Sequence, residues 1–534
     1  MKKVLFFSLS FLLVFSSFGQ GIGDFRVVVE DISFDDLPGL QSFAIAEYDG
    51  KWLIIGGRTD GLHRRQPWAS FWEENNNKNI FVIDHVAQKV WSASLSELPT
   101  SIFEQLQSTN MVFEQKGETM YIMGGYGYAA SEGMHLTHPF LTAVDIPQTI
   151  EAVVSGESLA SNFRQIRDER MQVTGGYLRS IKDFFYLVGG QKFMGLYNPM
   201  GPDHGPGFIQ EYTNQIRKFQ ILDDGEQLSI TNYSTLTDSL ELHRRDYNLA
   251  AQIFPDRSFG LTAFSGVFQY DVNLPWLNTV DIFEEGYKAN QDFNQYLNQY
   301  HSAHLSAYDW ESNDMYTLFF GGISRFFLNE SGDLVDDQQV PFVRTISLVN
   351  RDAQGQMSES KIGEMPALLG SGAEFILNTG VELYENGVIN LNKLSGEDIL
   401  LGYVFGGIES SDSNIFFSNT GDQSVASNRL FAVRLIKGTT NVAEINSSVD
   451  DFSVFPNPNR GDRFTVSFQM NQKARISMDL LNGYGRILQR EMIEEVFKPG
   501  KQEVKLRLNN KAPGIYYLRL YDGKCIQTRK IVKQ

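Results

Sequence analysis

Residues 53–57 read Leu-Ile-Ile-Gly-Gly, and the same pattern of apolar residues followed by two glycines recurs along the first 440 residues. Self-similarity at a long, fixed period is the signature of a repeat architecture. Two glycines at the end of a strand indicate a close backbone approach that a side chain would block. The clean copies end in Gly56 and Gly57, Gly124 and Gly125, Gly189 and Gly190, Gly321 and Gly322, and Gly406 and Gly407, and a degenerate copy, Thr-Ala-Phe-Ser-Gly, occupies residues 262–266.

Further strand-like runs flank each copy. Residues 41–46 precede the first diglycine, and residues 79–84 and 90–95 follow it. Four strands per repeat, with a diglycine ending the second, closely resemble the kelch family of β-propellers. The resemblance implies an all-β fold in which residues 20–437 form a six-bladed kelch-like β-propeller.

The two ends of this region predict how the ring closes. Residues 25–32 read as a lone strand before the first repeat, and the last repeat stops after its third strand near Lys437. We expect the N-terminal strand to complete the sixth blade, because closure leaves no sheet edge exposed. Divided among six repeats, residues 25–437 provide more than the roughly 50 residues that one kelch repeat needs. The surplus residues must therefore lie in loops.

The charge distribution divides the chain. Residues 450–534 hold 16 Lys and Arg against 9 Asp and Glu, whereas the rest holds 30 against 55. A change of sign of this size marks a domain boundary near residue 450. So acidic a body repels phosphate backbones, and we therefore expect no nucleic-acid partner.

The N-terminus reads as a targeting segment. Lys2 and Lys3 precede an apolar run and a small-residue cleavage site, which together predict a signal peptide over residues 1–19. Its apolar core is too short to span a bilayer stably, and no later run approaches 18 apolar residues. We therefore expect a mature protein without a transmembrane segment, exported through the periplasm.

The C-terminal region alternates apolar and polar residues between glycine-containing turns, which predicts a small Ig-like β-sandwich over residues 453–534. Its opening Pro-Asn-Pro (456–458), its Gly-Ile-Tyr (514–516) and its closing Lys-Ile-Val-Lys (530–533) resemble the C-terminal sorting domain of the Bacteroidetes type IX secretion system. The resemblance implies type IX machinery as a partner and a secreted or outer-surface location, whether released or attached. An Ig-like module that is retained is the alternative, and residues 438–452 read as the linker.

Long loops follow the diglycines and should gather on one face of the ring, where binding residues usually lie. On this face we expect recognition of a glycan or a protein. Arginines here could bind carboxylates or stack on rings, or they could pair with the many acidic residues and hold the loops. The candidate ligand-binding residues are Arg58, His63, Arg64, Arg65, Trp68, Trp72, Tyr126, His204, His243, Arg244, Arg245 and His301.

Several chemistries are disfavoured. His301 and His304 would point to opposite faces of a strand, so we expect no metal site, and no cofactor is predicted. The only cysteine is Cys525, whereas galactose-oxidase-like kelch propellers need a Tyr–Cys cross-link beside copper; that chemistry is therefore excluded. A carbohydrate-active enzyme resembling the kelch-type sialic-acid mutarotases stays open as the alternative to a binding protein, and no catalytic residue is assigned.

Overall fold

A computed structural model describes residues 21–64, 66, 68–329, 332–437, 448–482, 487–508, 511–522 and 525–534. The predicted signal peptide and residues 438–447 of the predicted linker lie outside this range. The described residues are predominantly β-strand, so the all-β expectation is confirmed.

The strands up to the middle of the chain are β1 (Gly21–Ile22), β2 (Phe25–Asp31), β3 (Ala44–Tyr48), β4 (Lys51–Ile55), β5 (Asn79–Asp84), β6 (Lys89–Ser94), β7 (Val112–Lys116), β8 (Thr119–Met123), β9 (Tyr126–Ala129), β10 (Met134–Thr137), β11 (Phe140–Asp145), β12 (Phe163–Arg167), β13 (Tyr177–Ile181), β14 (Phe184–Val188), β15 (Gln191–Gly195), β16 (Phe208–Tyr212), β17 (Gln215–Asp223), β18 (Leu228–Thr237), β19 (Asn248–Ile253), β20 (Phe259–Phe264), β21 (Thr279–Phe283) and β22 (Gly286–Asn290). The later strands are β23 (His304–Asp309), β24 (Asp314–Phe320), β25 (Phe326–Leu328), β26 (Leu334–Asp336), β27 (Thr345–Arg351), β28 (Met357–Glu364), β29 (Leu368–Leu377), β30 (Ile389–Asn390), β31 (Asp398–Ser410), β32 (Ser424–Ala426), β33 (Leu430–Lys437), β34 (Val449–Phe455), β35 (Arg463–Met470), β36 (Ala474–Asn482), β37 (Ile487–Phe497), β38 (Gly500–Arg507), β39 (Gly514–Tyr521) and β40 (Cys525–Lys533). The helices are α1 (Thr100–Leu106), α2 (Ile146–Ser155) and short 3-10 turns at Glu73–Asn75, Leu95–Glu97, Ala160–Asn162, Glu169–Met171, Pro202–His204 and Leu391–Lys393.

Six antiparallel units of four strands follow one another along the chain. We number them sheets 1 to 6: β3–β6, then β7, β8, β11 and β12, then β13, β14, β17 and β18, then β19–β22, then β23, β24, β27 and β28, and finally β29, β31, β33 and β2. Apolar clusters fill the space between each sheet and the next, including the space between sheet 6 and sheet 1. We call this arrangement the sheet cycle.

One ring of backbone hydrogen bonds runs through all six sheets. In sheets 1 to 5 a residue two or three positions before the first strand, and in sheet 6 Gly372 within the first strand, donates its N–H to the carbonyl of the equivalent residue in the preceding sheet. Five of these six residues have positive φ, a conformation that Gly, Asn and Asp tolerate best. We call this ring the collar; its bonds run from Ser42 to Gly372 (2.8 Å), Asn110 to Ser42 (3.1 Å), Gly175 to Asn110 (3.3 Å), Asp246 to Gly175 (2.8 Å), His301 to Asp246 (2.9 Å) and Gly372 to His301 (3.2 Å).

The diglycines form a second ring of contacts between neighbouring sheets. The last glycine of each repeat donates its N–H to a carbonyl just ahead of the next collar residue, as in Gly57 to Ser108 (2.9 Å) and Gly407 to Leu40 (2.9 Å). The first glycine has positive φ, and Ser265 of the degenerate copy takes the same conformation (φ 53°). In the degenerate copy a serine therefore takes the place of the first glycine in the same conformation.

The N-terminal strand closes the cycle. β2 pairs with β33 over seven residues, from Phe25 opposite Lys437 to Asp31 opposite Phe431. Arg429 adds an ion pair to Asp31 at 2.6 Å. The edge of sheet 6 is therefore supplied by residues about 400 positions away in sequence.

Part of the loop face differs from the loop assignments. The segments after the second and third diglycines are not irregular, because β9, β10, β15 and β16 join into a separate four-stranded sheet over the loop face.

The C-terminal region begins earlier than predicted. β34 begins at Val449, inside the predicted linker. In the C-terminal region, β34, β35 and β38 form one sheet, β36, β37, β39 and β40 lie in another, and the two share one apolar core. We call residues 448–534 the tail domain.

Deleting residues 21–31 tests the closure of the cycle. The deletion removes a seven-residue ladder and leaves β33 as an exposed edge, so the free energy of unfolding should fall by several kcal/mol. Thermal denaturation followed by circular dichroism measures the change. An unchanged melting temperature would contradict closure by β2.

Substituting Gly124 tests the close approach at the diglycines. Alanine at this position (φ 62°) would place its Cβ against the carbonyl oxygen of Val173 in the next sheet. Gly117 is the matched control, since it has nearly the same φ (61°) but open space around it. Gly117→Ala should cost about 1–2 kcal/mol for the left-handed conformation, and Gly124→Ala clearly more. Equal losses in a denaturant titration would refute a packing role for Gly124.

Candidate functional site

A cavity of about 180 Å³ opens on the loop face of the sheet cycle, and all six collar residues contribute to its lining. Its position follows from backbone pairing: the residue after a diglycine forms an isolated bridge with the residue before a collar position. Gln41 pairs with Arg58 in this way, Thr174 with Gln191, and Arg245 with Val267. The cavity is therefore lined by equivalent positions from successive repeats.

Aromatic rings form much of its wall. Phe71 lies edge-on to Tyr126 (5.4 Å between centroids) and to Tyr197 (5.8 Å), and His63 lies edge-on to Tyr197 (5.0 Å) and Phe416 (5.7 Å). The Tyr126 hydroxyl donates to the carbonyl of Gly195 at 2.7 Å and accepts from the N–H of Tyr197 at 3.0 Å. These contacts hold the rings in fixed orientations around the opening.

His63 belongs to this aromatic wall as a neutral ring. Burial lowers the pKa of His63 to about 4, because the charged imidazolium would lose its hydration. Its ring is therefore uncharged at neutral pH and stacks on Phe71 at 5.6 Å.

Arg58 is a buried cation with a complete set of partners. Its guanidinium binds Asp60 through two hydrogen bonds (2.6 and 2.7 Å), and it also donates to the Asn76 side chain (2.9 Å) and the Trp72 carbonyl (3.1 Å). Only 2% of the residue is exposed. A bidentate carboxylate partner neutralises the charge that Arg58 brings to the cavity.

Arg245 is the second cation at the cavity, and it too is paired. Its guanidinium lies 2.5 Å from the carboxylate of Asp246 and donates to the Tyr212 hydroxyl at 3.0 Å. Asp246 is itself a collar residue, so the pair sits at the floor of the cavity. The ring of Phe268 covers the guanidinium at 5.3 Å.

His301 lines the cavity floor, and a carboxylate that does not line the cavity lies beside its imidazole. Its Nε2 lies 3.2 Å from an oxygen of Glu374, and its ring lies edge-on to Tyr177 (5.3 Å). His304 contacts the same tyrosine ring (6.0 Å), contrary to the expectation that the two histidines point apart. The reason is that His301 precedes β23 and does not follow the alternation of the strand. Among the described residues, no three His, Cys, Asp or Glu side chains form a metal-binding group.

Five predicted site residues line the cavity: Arg58, His63, Tyr126, Arg245 and His301. Four others lie beside it. Arg64 covers the ring of Trp72 (4.9 Å), the Trp72 indole donates to the carbonyl of Trp68, and His243 stacks on Tyr212 at 3.8 Å. Trp68 and Trp72 are exposed, at 68% and 40%, and Trp72 directly follows Phe71, which lines the cavity.

The remaining three predicted residues lie elsewhere or are not described. His204 is exposed in the 3-10 turn Pro202–His204, and Arg65 lies outside the described residues. Arg244 is 2% exposed and donates to the carbonyls of Glu241, Ser265 and Asn278 at 2.7–2.9 Å and to the Asn278 side chain at 2.7 Å. It anchors the entry to sheet 4 and does not face the cavity.

Several lining residues were not singled out from the sequence, among them Gln41, Gln191, Tyr300 and Phe416. For one of them, Gln191, a signal was present. Gln191 directly follows a diglycine, as Arg58 and Tyr126 do, so the repeat position itself indicates a place at the opening. Tyr300 and Phe416 carry no such mark, because the lengths of their loops vary between repeats.

Comparison with known proteins identifies one part of the chain. Residues 453–534 match the family described as the secretion system C-terminal sorting domain. A type IX sorting tail implies interaction with the type IX machinery and a secreted or cell-surface protein. No curated protein matches the chain. Within the described residues, the helices are all too short or too polar to cross a membrane.

Solved structures resemble the chain only distantly. The protein titled "Structure of YjhT" aligns with a TM-score of 0.42 at 11% identity, over 73% of this chain and 93% of that one. A fungal alcohol oxidase of the AA5 family, solved in complex with copper, aligns with a TM-score of 0.36 at 9% identity, over 96% of this chain and 100% of that one.

Replacing Arg244 tests whether this arginine stabilises the fold and does not belong to the candidate site. Arg244→Ala leaves four acceptors without their buried donor, so it should lower the free energy of unfolding by about 3–5 kcal/mol. Arg64→Ala is the control, because its guanidinium lies against an exposed ring, and it should change stability by less than about 1 kcal/mol. Comparable melting temperatures for the two variants would contradict the anchoring role.

Proposed function

We propose that this chain, whose residues 453–534 match the type IX sorting domain, is a six-bladed kelch-like β-propeller exported to the cell surface or medium. We further propose that the cavity above the collar binds the end of a neutral glycan and that the tail domain is an Ig-like sandwich. The observation that carries the glycan proposal is a small aromatic cavity whose cationic groups are already neutralised.

The closed hydrogen-bond rings support the propeller. Six four-stranded sheets, each bonded to the next and the last bonded to the first, match what a ring of six blades requires. A strand from the N-terminus that completes the last sheet removes the exposed edge, as propellers do. The diglycines provide the close approach between neighbouring sheets near the axis.

The charge arrangement supports a neutral ligand. Arg58 and Arg245 each hold a carboxylate partner within hydrogen-bonding distance. An anionic ligand would have to displace Asp60 or Asp246, and the displaced carboxylate would then be desolvated without a partner. A ligand that carries hydroxyls and no charge avoids this cost.

The walls and the size support a single sugar unit. A pyranose ring has an apolar C–H face and a polar hydroxyl edge, which suits flat aromatic walls interrupted by a few hydrogen-bonding groups. The rings of Tyr126 and Tyr197 supply such walls, and the amides of Gln41 and Gln191 supply polar groups. At about 180 Å³ the cavity is smaller than the roughly 300–1,000 Å³ of drug-sized sites. We therefore propose that the cavity binds the terminal sugar unit and that the exposed Trp68 and Trp72 bind the sugar units that follow it.

A carbohydrate-active enzyme is the second candidate, and one observation favours it. The Glu374 carboxylate beside the His301 imidazole at the cavity floor could orient that ring for proton transfer. Faster interconversion of sugar anomers, measured by NMR exchange and abolished in His301→Gln, would support catalysis. Retained binding without faster interconversion would leave the binding role alone.

A glycan array with the full chain, followed by calorimetric titration of the retained sugar, tests the binding proposal. Tyr197→Ala removes one aromatic wall and should weaken affinity at least thirtyfold, as expected for a central anchor worth about 2 kcal/mol. Trp310→Ala is the control, because this 44% exposed tryptophan lies at the turn between β23 and β24, at the opposite end of sheet 5. Its affinity should be unchanged.

Two outcomes would contradict the proposal. Selective retention of sialylated or otherwise anionic glycans would refute the neutral ligand. Equal affinity of Tyr197→Ala and the unmodified protein would place the binding site outside the cavity.

A further inference from the structure

Strand β39 of the tail domain is buried on both of its faces. Tyr516, Leu518 and Leu520 point into the core of the tail domain. The alternate residues Tyr517, Arg519 and Tyr521 are also buried, at 7%, 2% and 8% exposure. In a sandwich that stands alone, one of these faces would be exposed to water. A second surface must therefore cover it.

The segment before sheet 5, the β25–β26 hairpin that sheet 5 carries and Leu277 just before β21 supply that surface. Leu277, Tyr296, Leu297, Phe326 and Leu334 form one apolar cluster with the tail residues Leu481, Tyr517, Tyr521 and Ile526. Tyr296 is completely buried, and Leu297 is 1% exposed. Contacts of this kind are typical of the anchors that carry most of the binding energy of an interface.

Polar contacts fix how the two surfaces align. The Arg519 guanidinium lies 4.8 Å from the centre of the Tyr296 ring and forms an ion pair with Asp479 on the tail side. The Tyr517 hydroxyl donates to the Gln291 side chain at 3.2 Å. A cation held over an aromatic ring in a dry contact adds attraction beyond apolar burial.

The backbone contributes as well. β40 pairs antiparallel with β28, the outer strand of sheet 5, with Ile526 opposite Glu359 and Cys525 opposite Ser360. The Glu359 carboxylate accepts hydrogen bonds from the N–H groups of Tyr296 (2.7 Å) and Leu297 (3.0 Å), which orders the segment under the tail. Adding a strand to a sheet edge is a recurrent way of binding a protein segment.

We propose that the outer face of β36, β39 and β40 docks on sheet 5 and the segments beside it. This contact would hold the tail domain on the sheet cycle even after the covalent link between them is cut. The occupant of the sheet 5 surface is therefore this chain's own tail. Cutting the chain between residues 438 and 447 would not by itself release the tail domain. Release then requires either dilution or a competitor for the same face of β39.

The test uses the full chain with a protease recognition sequence introduced between residues 438 and 447. After complete cleavage, size-exclusion chromatography at about 10 μM should show the two fragments eluting together. Tyr517→Asp places a charge in the dry contact and should make the fragments elute separately. Ile515→Asp is the matched control, since Ile515 is on the same side of the same strand but is 44% exposed, and its fragments should stay together.

Leu297→Asp provides the reciprocal variant and leaves the tail sequence intact. It should also separate the fragments, and circular dichroism of each uncut variant checks that both domains are folded. Separate elution of the unmodified fragments would overturn the proposal. Co-elution of the folded Leu297→Asp and Tyr517→Asp fragments would overturn it too.

Discussion

Six backbone hydrogen bonds form a closed ring at the collar, and the arrangement of the sheets depends on this ring. Each bond joins one sheet to the preceding one, so a change of spacing at one position must be absorbed by all the others. Positive φ at five of the six positions turns the chain sharply at those residues. Asn110, Gly175, Asp246 and Gly372 are residue types that tolerate this conformation, whereas Ser42 adopts it at some cost.

The collar also determines what the cavity can hold. Its six residues form the floor, and the side chains just before and after them line the opening. Arg245 and Asp246 are neighbours in sequence, yet only the collar turn sets the carboxylate beside the guanidinium. Arg58 is paired in the same manner with Asp60. The positive charges of Arg58 and Arg245 are therefore both neutralised by a neighbouring carboxylate.

The contact between the tail domain and sheet 5 leaves fewer strand edges exposed. β28 would be the exposed outer strand of sheet 5, and β40 pairs with it over two residues. The outer face of β39 is covered at the same time, so two surfaces prone to nonspecific association protect each other.

The sequence by itself determined the repeat count, the strand that closes sheet 6 and the sorting tail, because each depends on local patterns: a diglycine, an alternating strand, a Pro-Asn-Pro opening. It also brought Arg58, Tyr126 and His301 into consideration, since their positions follow the repeat. Only the tertiary structure decided that Arg244 is an anchor while its neighbour Arg245 lines the cavity, because adjacent residues at a strand entrance point in opposite directions. Only the tertiary structure, likewise, placed Glu374 beside His301 and the outer face of β39 on Tyr296. These contacts join residues from 73 to more than 200 positions apart, and the side-chain types alone contain no information about which distant partner each one meets.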